Sequence, residues 1–421
     1  MIKIVIINQT FQKPQFYKRW KLLSERHADL DVTLLAPGQW DWGKGENQTF
    51  GHVDTVEGKS VDDDRFHIHL IDIEKRAHGA WTSSKMEEEI VKICPDIAYF
   101  IGEHTQTAVK QFLMIKKKYH MEKTKFMIFS MRGHAQSLKL ERSKSPITQA
   151  KKIVKYFMLK NNVDCINKYC DDVFCHYPDA VSEFRREGFS GNIFMQTQVG
   201  VDPDIFYPSN ESREKIRKKY NIGDSYLFGS AARFHVSKGI DVVIDALPKD
   251  GNWKYLLMGW GTDDDVARLK KKVADRGLQD KIIFTGYIDN WKDMAEHWNA
   301  LDCAIHAPLT TQNWEETFSL ALVQAMITGL PVIGSSSGSV PYQIGPDGII
   351  IPEGDAKKMR EQIVRLIENP NEGYAIGKAM RERALRCFSI YQLDELFYQT
   401  IIDILNDVYD ENKADMVGFW K

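Results

Sequence analysis

The sequence has 421 residues, of which 43% are hydrophobic and 27% are charged, and its formal net charge at neutral pH is −2. This length exceeds the roughly 100–200 residues of a single domain, so we expect two domains, each with its own core. The composition excludes a disordered chain, and the charge balance gives no general attraction to nucleic acid, so no nucleic-acid partner is expected.

Apolar runs and cysteine content predict the compartment. The first apolar run, residues 1–7, is too short for a signal peptide and is typical of a buried strand. No stretch reaches the roughly 18 apolar residues that span a bilayer. Six cysteines without an export signal favour free thiols in a reducing compartment. We therefore expect a cytoplasmic protein. The spacing of Cys165, Cys170 and Cys175 lacks the paired pattern of a metal site.

In the first half of the chain, short apolar runs alternate with segments whose apolar residues recur every three or four positions. This alternation predicts a parallel sheet with helices on both faces. The predicted strands are 3–7, 31–35, 67–73, 97–101, 125–130 and 173–177. The pattern stops at residues 199–208, which contain two prolines and a glycine, and we place the hinge between the domains there.

The second half begins with a charged helix predicted at 211–220 and then repeats the alternation of strands and helices. Its predicted strands are 226–230, 254–258, 281–285, 303–306, 331–334 and 349–351. Such open sheets bind ligands beyond the carboxyl ends of their strands, where the strand order reverses. We therefore expect the second sheet to carry a ligand site at that edge.

The predicted fold class is α/β, with two Rossmann-like doubly wound parallel-sheet domains that face a cleft. The N-terminal domain is predicted at 1–200 and the C-terminal domain at 201–390. Residues 391–421 contain apolar residues on a helical period followed by a short tail. We expect this C-terminal helix to pack back on the N-terminal domain.

The most informative stretch is 314–333, where a polar loop enters a predicted helix near Thr317 that ends at Gly329 before a buried strand. A helix N-terminus offers unpaired N–H groups and partial positive charge, which suit a diphosphate. The predicted backbone donors are those of Thr317, Phe318 and Ser319. The alternative interpretation is one more Rossmann helix with a solvated start.

Two polar side chains flank this predicted helix start. Glu316 precedes it and would face the sugar of a bound nucleotide sugar. Gln324 follows eight residues later, about 12 Å further along if the chain is helical, a span that suits another part of an extended nucleotide sugar.

Two further loops follow predicted strands. Arg233 and Lys238 come after the strand 226–230, and two cations there can neutralise both phosphates of a diphosphate. Gly338 and Ser339 belong to a loop of small residues whose backbone could approach a ligand closely. A surface loop would need neither of the two cations, whereas the loop of small residues is a weak signal in isolation.

The order of these elements resembles the large retaining GT-B family called glycosyl transferases group 1, and the resemblance covers the C-terminal half nearly end to end. The matching residues are Gly200, Val201, Asp202, Phe206, Pro208, Arg233, Lys238, Gly239, Phe284, Thr285, Gly286, Glu316 and Gly338. The resemblance implies that the Arg and Lys contact the donor diphosphate and that Glu316 contacts the transferred sugar. It also puts Gly286 and Tyr287 on the nucleoside side.

Two positions depart from the family pattern. The family's second carboxylate, which binds ribose hydroxyls, is Gln324 here, and an amide supplies no charge. The first strand is followed by residues 8–14 without the Gly-Gly pair of many members, which also disfavours a dinucleotide fingerprint there.

The resemblance is thinner in the N-terminal half, where strand ends at 95–104 and 129–134 are expected to open toward an acceptor. His134 and His104 are candidates for the reacting centre, although either could equally be structural. Arg132 stands where many members carry a His. Glu103 and Arg132 are the predicted acceptor-side residues.

The resemblance implies a retaining glycosyltransferase that moves a sugar from a nucleoside diphosphate sugar to an acceptor hydroxyl in polysaccharide or glycolipid assembly. It implies no cofactor and no essential metal, with a saccharide or lipid-linked acceptor as the second substrate. The alternatives are a nucleotide-sugar epimerase of the same fold and a non-catalytic nucleotide-sugar-binding subunit, for which Gln324 is the main argument.

Residues 151–160 are basic with interleaved apolar residues. This pattern is compatible with weak peripheral contact with an anionic leaflet at the inner face of the membrane. The alternative is a helix packed on its own sheet.

Overall fold

The computed structural model describes residues 1–12, 14–40, 56–75, 81–102, 107–133, 138, 140, 142, 145–312 and 314–418. The chain divides into two compact units. The first unit comprises Met1–Gln198 and Leu393–Lys421, and the second comprises Val199–Gln392. The chain therefore leaves the first unit once and returns to it at the C-terminal helix.

The first unit alternates strands and helices as predicted. Its elements are β1 (Ile2–Ile7), α1 (Pro14–Arg26), β2 (Leu30–Pro37), β3 (Gln39–Trp40), β4 (Val56–Glu57), β5 (Val61–Asp62), β6 (Phe66–Ile71), β7 (Glu74–Lys75), β8 (Trp81–Thr82), α2 (Ser84–Ile93), β9 (Ile97–Ile101), α3 (Thr107–Lys118), β10 (Lys125–Ser130), α4 (Pro146–Tyr169), β11 (Asp172–Cys175), α5 (Pro178–Arg186) and β12 (Asn192–Phe194).

Within its described residues, the first unit has a main sheet of eight strands in the order β12-β11-β10-β9-β1-β2-β6-β5. All neighbours pair in parallel except β5, which runs antiparallel to β6 at one edge. The strand order reverses between β1 and β9. All of β9 and the last four residues of β1 are buried, as expected for central strands of a sheet covered on both faces.

The second unit repeats this architecture. Its elements are α6 (Asn210–Lys219), β13 (Tyr226–Arg233), α7 (Ile240–Ala246), β14 (Trp253–Trp260), α8 (Asp263–Arg276), β15 (Ile282–Gly286), α9 (Trp291–Ala300), β16 (Cys303–His306), α10 (Leu320–Ile327), β17 (Val332–Ser335), α11 (Val340–Ile344), β18 (Ile349–Ile351), α12 (Ala356–Glu368) and α13 (Pro370–Phe388).

In the part of the second unit that is described, six strands form one parallel sheet in the order β15-β14-β13-β16-β17-β18. The order reverses between β13 and β16, which lie side by side although two strands separate them in the chain. The prediction of two doubly wound parallel-sheet domains is confirmed. The second unit has its own core, with Tyr255, Leu257 and Met359 at its centre.

The C-terminal helix α14 (Ile390–Leu405), which precedes the short α15 (Glu411–Ala414), packs its central residues into the first unit. The ring of Phe397 contacts the rings of Trp20 and Tyr99, with centroids 5.3 and 5.5 Å apart. Beside them, Arg19 Nε donates to Asp394 Oδ1 at 2.8 Å in a buried ion pair. A helix at this position was predicted, and its apolar face is part of the first core.

Candidate functional site

The reversal of strand order in the second unit brings three loops together. Strand β13 ends at Arg233 and leads through a 3-10 turn, Val236–Lys238, into α7. The backbone at Gly239 is left-handed, with φ +66°, and a Cβ there would overlap the carbonyl oxygen of Ala307. The loop after β13 therefore packs backbone to backbone on the chain that follows β16, and only glycine permits this approach.

Lys238 and Glu316 form a buried ion pair at this edge of the sheet. Lys238 Nζ donates to Glu316 Oε2 at 2.6 Å, and both side chains are largely buried. The ammonium also lies 4.3 Å from the ring centroid of Trp314, a cation–π contact. The ion pair therefore joins the loop after β13 to the loop after β16.

Glu316 is held in its charged form. Burial raises the pKa of the Glu316 carboxyl, but the charge of Lys238 and the proximity of His306 outweigh burial and lower that pKa to about 2. The carboxylate is therefore ionised throughout the neutral range. At neutral pH it therefore accepts hydrogen bonds and has no proton to donate.

His306, the last residue of β16, approaches the same carboxylate. Its Nε2 lies 3.4 Å from Glu316 Oε2, and the side chain is mostly buried. Neither His306 nor Trp314 was among the predicted site residues. The run that contains His306 reads as the end of a buried strand, and the only available signal was its place directly before the loop that carries Glu316.

The second carboxylate oxygen, Glu316 Oε1, makes no hydrogen bond or ion pair to any residue in the described ranges. Both basic groups contact Oε2. Oε1 thus retains its capacity to accept hydrogen bonds.

The backbone around Glu316 is fixed by the small-residue loop after β17. The Ser339 N–H donates to the Glu316 carbonyl at 2.7 Å. Gly338 has φ +47°, and a Cβ there would overlap the same carbonyl oxygen. The predicted residues Gly338 and Ser339 therefore contact the backbone of Glu316.

A buried glutamine links this loop to the start of α10. Gln343 Oε1 accepts from the Ser319 N–H at 2.9 Å and from Ser339 Oγ at 3.2 Å. Gln343 Nε2 donates to the Ser319 carbonyl at 3.1 Å. Sequence reasoning missed Gln343, because its partners lie on another element and no local pattern marks it.

The predicted helix start near Thr317 is wrong by three residues. Helix α10 begins at Leu320, and Ser319 is its N-cap, with Oγ accepting from the Leu322 N–H at 3.2 Å. A serine caps a helix better than its neighbours here because its hydroxyl replaces a missing backbone acceptor. Thr317 and Phe318 are partly buried residues of the preceding loop. The Ser319 N–H is engaged by Gln343.

Gln324 lies inside α10 and is only 5% exposed. Its Oε1 accepts from the indole N–H of Trp298 at 3.2 Å. Because an indole nitrogen only donates, this contact assigns the carbonyl end of the amide to Trp298 and the amino end to the opposite side. The ribose contact implied by the resemblance stays a prediction.

The remaining predicted residues of the second unit lie at strand ends. Arg233 is the partly buried last residue of β13. Gly286 ends β15 with φ +77°, and Tyr287 beside it is 40% exposed. Exposure of Tyr287 leaves its ring accessible to a ligand, which is compatible with the predicted nucleoside contact.

Arg132, a predicted acceptor-side residue, is buried in the first unit. It pairs with Glu187 through both terminal nitrogens, with Nη1 donating to Oε2 at 2.7 Å. Its guanidinium lies 5.1 Å from the ring centroid of Phe184. A direct acceptor contact by Arg132 would require this pair to open. The predicted residues Glu103, His104 and His134 lie outside the described residues.

The described part of the chain has neither a metal-ligand cluster nor a membrane-spanning helix. There, no three side chains of the metal-ligating types converge. Cys165, Cys170 and Cys175 are buried, and burial raises the pKa of the Cys165 thiol to about 11. Among the helices that are described, none has both the length and the hydropathy needed to cross a bilayer.

Comparison with known proteins shows what the second unit is similar to. Residues 212–383 match the model of the glycosyl transferases group 1 family. A GDP-mannose-dependent alpha-(1-6)-phosphatidylinositol monomannoside mannosyltransferase of Mycobacterium tuberculosis is 28% identical over 193 residues, 44% of this chain and 49% of that protein. The lipopolysaccharide core biosynthesis mannosyltransferase LpsB of Rhizobium meliloti is 32% identical over 205 residues, 46% of this chain and 56% of that protein. The chain thus spans about half the length of these curated relatives.

Likeness to solved structures extends over both units. The HepE protein of Anabaena, crystallised with UDP and glucose, aligns with a TM-score of 0.65 over 96% of this chain and 100% of that one. The identity is 15%, so the likeness concerns the fold.

Proposed function

We propose, from the membership of its second unit in the glycosyl transferases group 1 family, that this chain is a glycosyltransferase. In this proposal it takes a sugar from a nucleoside diphosphate sugar and moves it to an acceptor hydroxyl. The observation that carries the proposal is the buried Glu316 carboxylate at the reversal of strand order, paired with Lys238 through one oxygen. Its other oxygen is available to accept from a sugar hydroxyl.

The donor diphosphate is assigned to Arg233 and Lys238. Two cations that follow one strand can neutralise charge on the leaving diphosphate as it develops, and the structure has Lys238 fixed next to Glu316. This arrangement supports chemistry without an essential metal or cofactor. The leaving diphosphate then accepts the acceptor proton, and the sugar retains its anomeric configuration, as the resemblance implies.

The proposed acceptor is a saccharide or a lipid-linked saccharide, and the proposed product belongs to glycolipid or polysaccharide assembly. One relative is named for phosphatidylinositol monomannoside and another for lipopolysaccharide core biosynthesis, and both names describe mannosyltransferases. The HepE structure contains UDP and glucose. Because these names differ in sugar and in base, the donor panel for this chain should include both GDP and UDP sugars.

Helix α4 supports a peripheral membrane contact. Four of its apolar side chains are more than half exposed: Ile147 at 72%, Val154 at 60%, Phe157 at 62% and Met158 at 64%. No Asp or Glu occurs between Ser145 and Val163, while four lysines do. Exposed apolar residues interleaved with lysines suit the surface of an anionic bilayer.

Liposome flotation tests this contact. The parent protein should float with anionic vesicles at low salt, and Phe157→Ser with Met158→Ser should reduce the floating fraction. Tyr374→Ser is the matched control, because Tyr374 is an exposed aromatic residue of the second unit. A parent protein that stays with the soluble fraction would contradict the contact.

Thermal unfolding with a panel of nucleoside diphosphates and their sugars tests whether the donor site binds such a ligand. A ligand at about 100 times its Kd stabilises the native state by about 2.7 kcal/mol, so the true donor should raise the Tm clearly. Transfer to glycolipid or saccharide acceptors is then followed by product detection. If no compound of this class raises the Tm, the donor site is refuted. Interconversion of the sugar without an acceptor would indicate an epimerase, and binding without any turnover a binding subunit.

A further inference from the structure

Two basic side chains converge on a single oxygen of Glu316. Lys238 Nζ lies 2.6 Å and His306 Nε2 lies 3.4 Å from Oε2. They arrive from different strands, because Lys238 follows β13 and His306 ends β16. The reversal of strand order makes these strands neighbours, so the convergence is built into the sheet.

The proposed function requires Lys238 to contact two different anionic groups. In the structure it is the hydrogen-bonded partner of Glu316. With a donor bound, the same ammonium is assigned to the diphosphate. If Lys238 turned to the phosphates with nothing in its place, the buried Oε2 of Glu316 would lose its hydrogen-bond donor. Removing one partner of a buried ion pair is strongly unfavourable, because the other charge stays desolvated.

His306 is placed to meet this demand. At 3.4 Å, its contact with Oε2 is longer than a good N–H···O hydrogen bond, and Nε2 makes no hydrogen bond elsewhere in the described chain. A movement of a few tenths of an ångström would bring the two atoms within bonding distance. Such contacts commonly tighten when a ligand binds.

We propose that donor binding transfers the Glu316 carboxylate from Lys238 to His306, so that His306 is a positioning residue for the sugar-binding oxygen Oε1. The inference rests on the proposed diphosphate role of Lys238. An Nε2–H group of His306 donates to Oε2 in the donor complex, and Lys238 is released to the diphosphate. Glu316 thereby keeps its orientation while its first partner changes.

Paired substitutions of His306 separate positioning from packing. His306→Leu removes the N–H donor, and His306→Gln keeps one at a similar distance from the backbone. We expect His306→Leu to lower turnover about tenfold, equivalent to about 1.4 kcal/mol, with nucleoside diphosphate affinity within about twofold of the parent. His306→Gln should recover most of the lost turnover. Equal loss in both variants would overturn the proposal.

His297→Leu is the control for a buried histidine. His297 lies in α9 of the same unit and contacts the Asp293 carbonyl and the Tyr220 hydroxyl rather than Glu316. The proposal predicts that this variant keeps the turnover of the parent when folded. If turnover fell as much in His297→Leu as in His306→Leu, loss of any buried histidine would have this effect. That result would overturn the proposed positioning role of His306.

A double-mutant cycle tests whether His306 acts through Glu316. In a Glu316→Gln background, His306→Leu should cause no further loss of turnover, because the group that it positions is already altered. Additive losses would overturn the proposal.

A second double-mutant cycle measures stability instead of turnover, so it does not depend on the proposed activity. In the protein without ligand, either basic group can partner Glu316, so His306→Leu should destabilise a Lys238→Met variant more than it destabilises the parent. Urea unfolding of the parent, both single variants and the double variant measures this coupling. Losses that simply add would overturn the exchange of partners. A parent that binds no nucleoside diphosphate, with coupling intact, would instead refute the proposed function.

Discussion

Glu316 keeps its negative charge because Lys238 and His306 offset its burial, and this has a measurable pH signature. Its pKa in the folded protein is about 2, below the ordinary 4.5. A depressed carboxyl pKa stabilises the fold above the unfolded pKa, and the contribution is lost as pH falls through the folded pKa. The relevant window is therefore pH 4.5 down to about 2.

The free energy of unfolding of the parent and of Glu316→Gln measures this contribution. Between pH 6 and pH 3 the parent should lose about 2 kcal/mol relative to the variant, because the variant has no carboxyl to protonate. A difference that stays constant over this range would contradict the ion pair with Lys238.

The second prediction for individual residues concerns the contact of Arg233 and Lys238 with the donor diphosphate. Changing either to Ala should weaken nucleoside diphosphate binding at least about tenfold, or about 1.4 kcal/mol, because one charge-assisted phosphate contact is lost. Isothermal titration measures the affinity. Lys215→Ala is the control, since Lys215 pairs with Glu296 on the surface of the same unit. Unchanged affinity in both site variants would remove the diphosphate from this loop.

The sequence predicted Glu316, Lys238 and Gly338 at this site because their local context, a strand end followed by a loop and a helix, is visible in the chain. It did not predict His306 or Gln343. Their roles depend on partners from other loops, and a histidine at a strand end or a glutamine in a short helix has no local signature. The roles of such residues depend on contacts with residues distant in sequence, which a local sequence pattern does not reveal.

At the scale of elements, the predicted strands 97–101, 125–130, 303–306 and 349–351 coincide with β9, β10, β16 and β18. Buried parallel strands form continuous apolar runs, so their ends are clear. The start of α10 was predicted three residues early, because Thr317 and Ser319 are both capable caps and tertiary contacts choose between them. Gln343 holds Ser319 in the capping position.

Gly338 tests how the loop after β17 supports α10 and Glu316. Gly338→Ala places a Cβ against the Glu316 carbonyl in a left-handed backbone conformation. Gly223→Ala is the matched control, because Gly223 has φ +60° and nothing within 4 Å of an added Cβ. Both variants carry backbone strain, and only the first adds a clash.

Gly338→Ala should therefore lose about 1–3 kcal/mol more stability than Gly223→Ala, and its affinity for nucleotide sugar should fall. Chemical denaturation and titration calorimetry measure the two effects. Equal stability losses in the two variants would mean that the loop does not support Glu316.

At the scale of the whole molecule, the chain makes one unit from two separate segments. Apolar periodicity predicted the helix that the structure has at Ile390–Leu405. The buried pair of Arg19 and Asp394 that accompanies it was not predictable, since the partners lie 375 residues apart in sequence. Alternating strands and helices reveal the architecture of each unit, whereas the partners of a buried charge emerge only in the fold.

The two units share one architecture, but the residues assigned to the donor site lie in the second. There the reversal of strand order brings Lys238, His306 and Glu316 together. The central claim is that the Glu316 carboxylate acts on the transferred sugar more than on the nucleotide.

The most direct test compares turnover of the donor with nucleoside diphosphate affinity in Glu316→Gln. The variant keeps the shape of the side chain and removes its charge, so an interaction strongest in the transition state is lost. Turnover should fall by about a hundredfold, while the affinity for the free nucleoside diphosphate changes little. Gln324→Glu is the paired control and should alter nucleotide affinity more than turnover. A Glu316→Gln variant that turns over like the parent would contradict the assignment of the active site to this carboxylate.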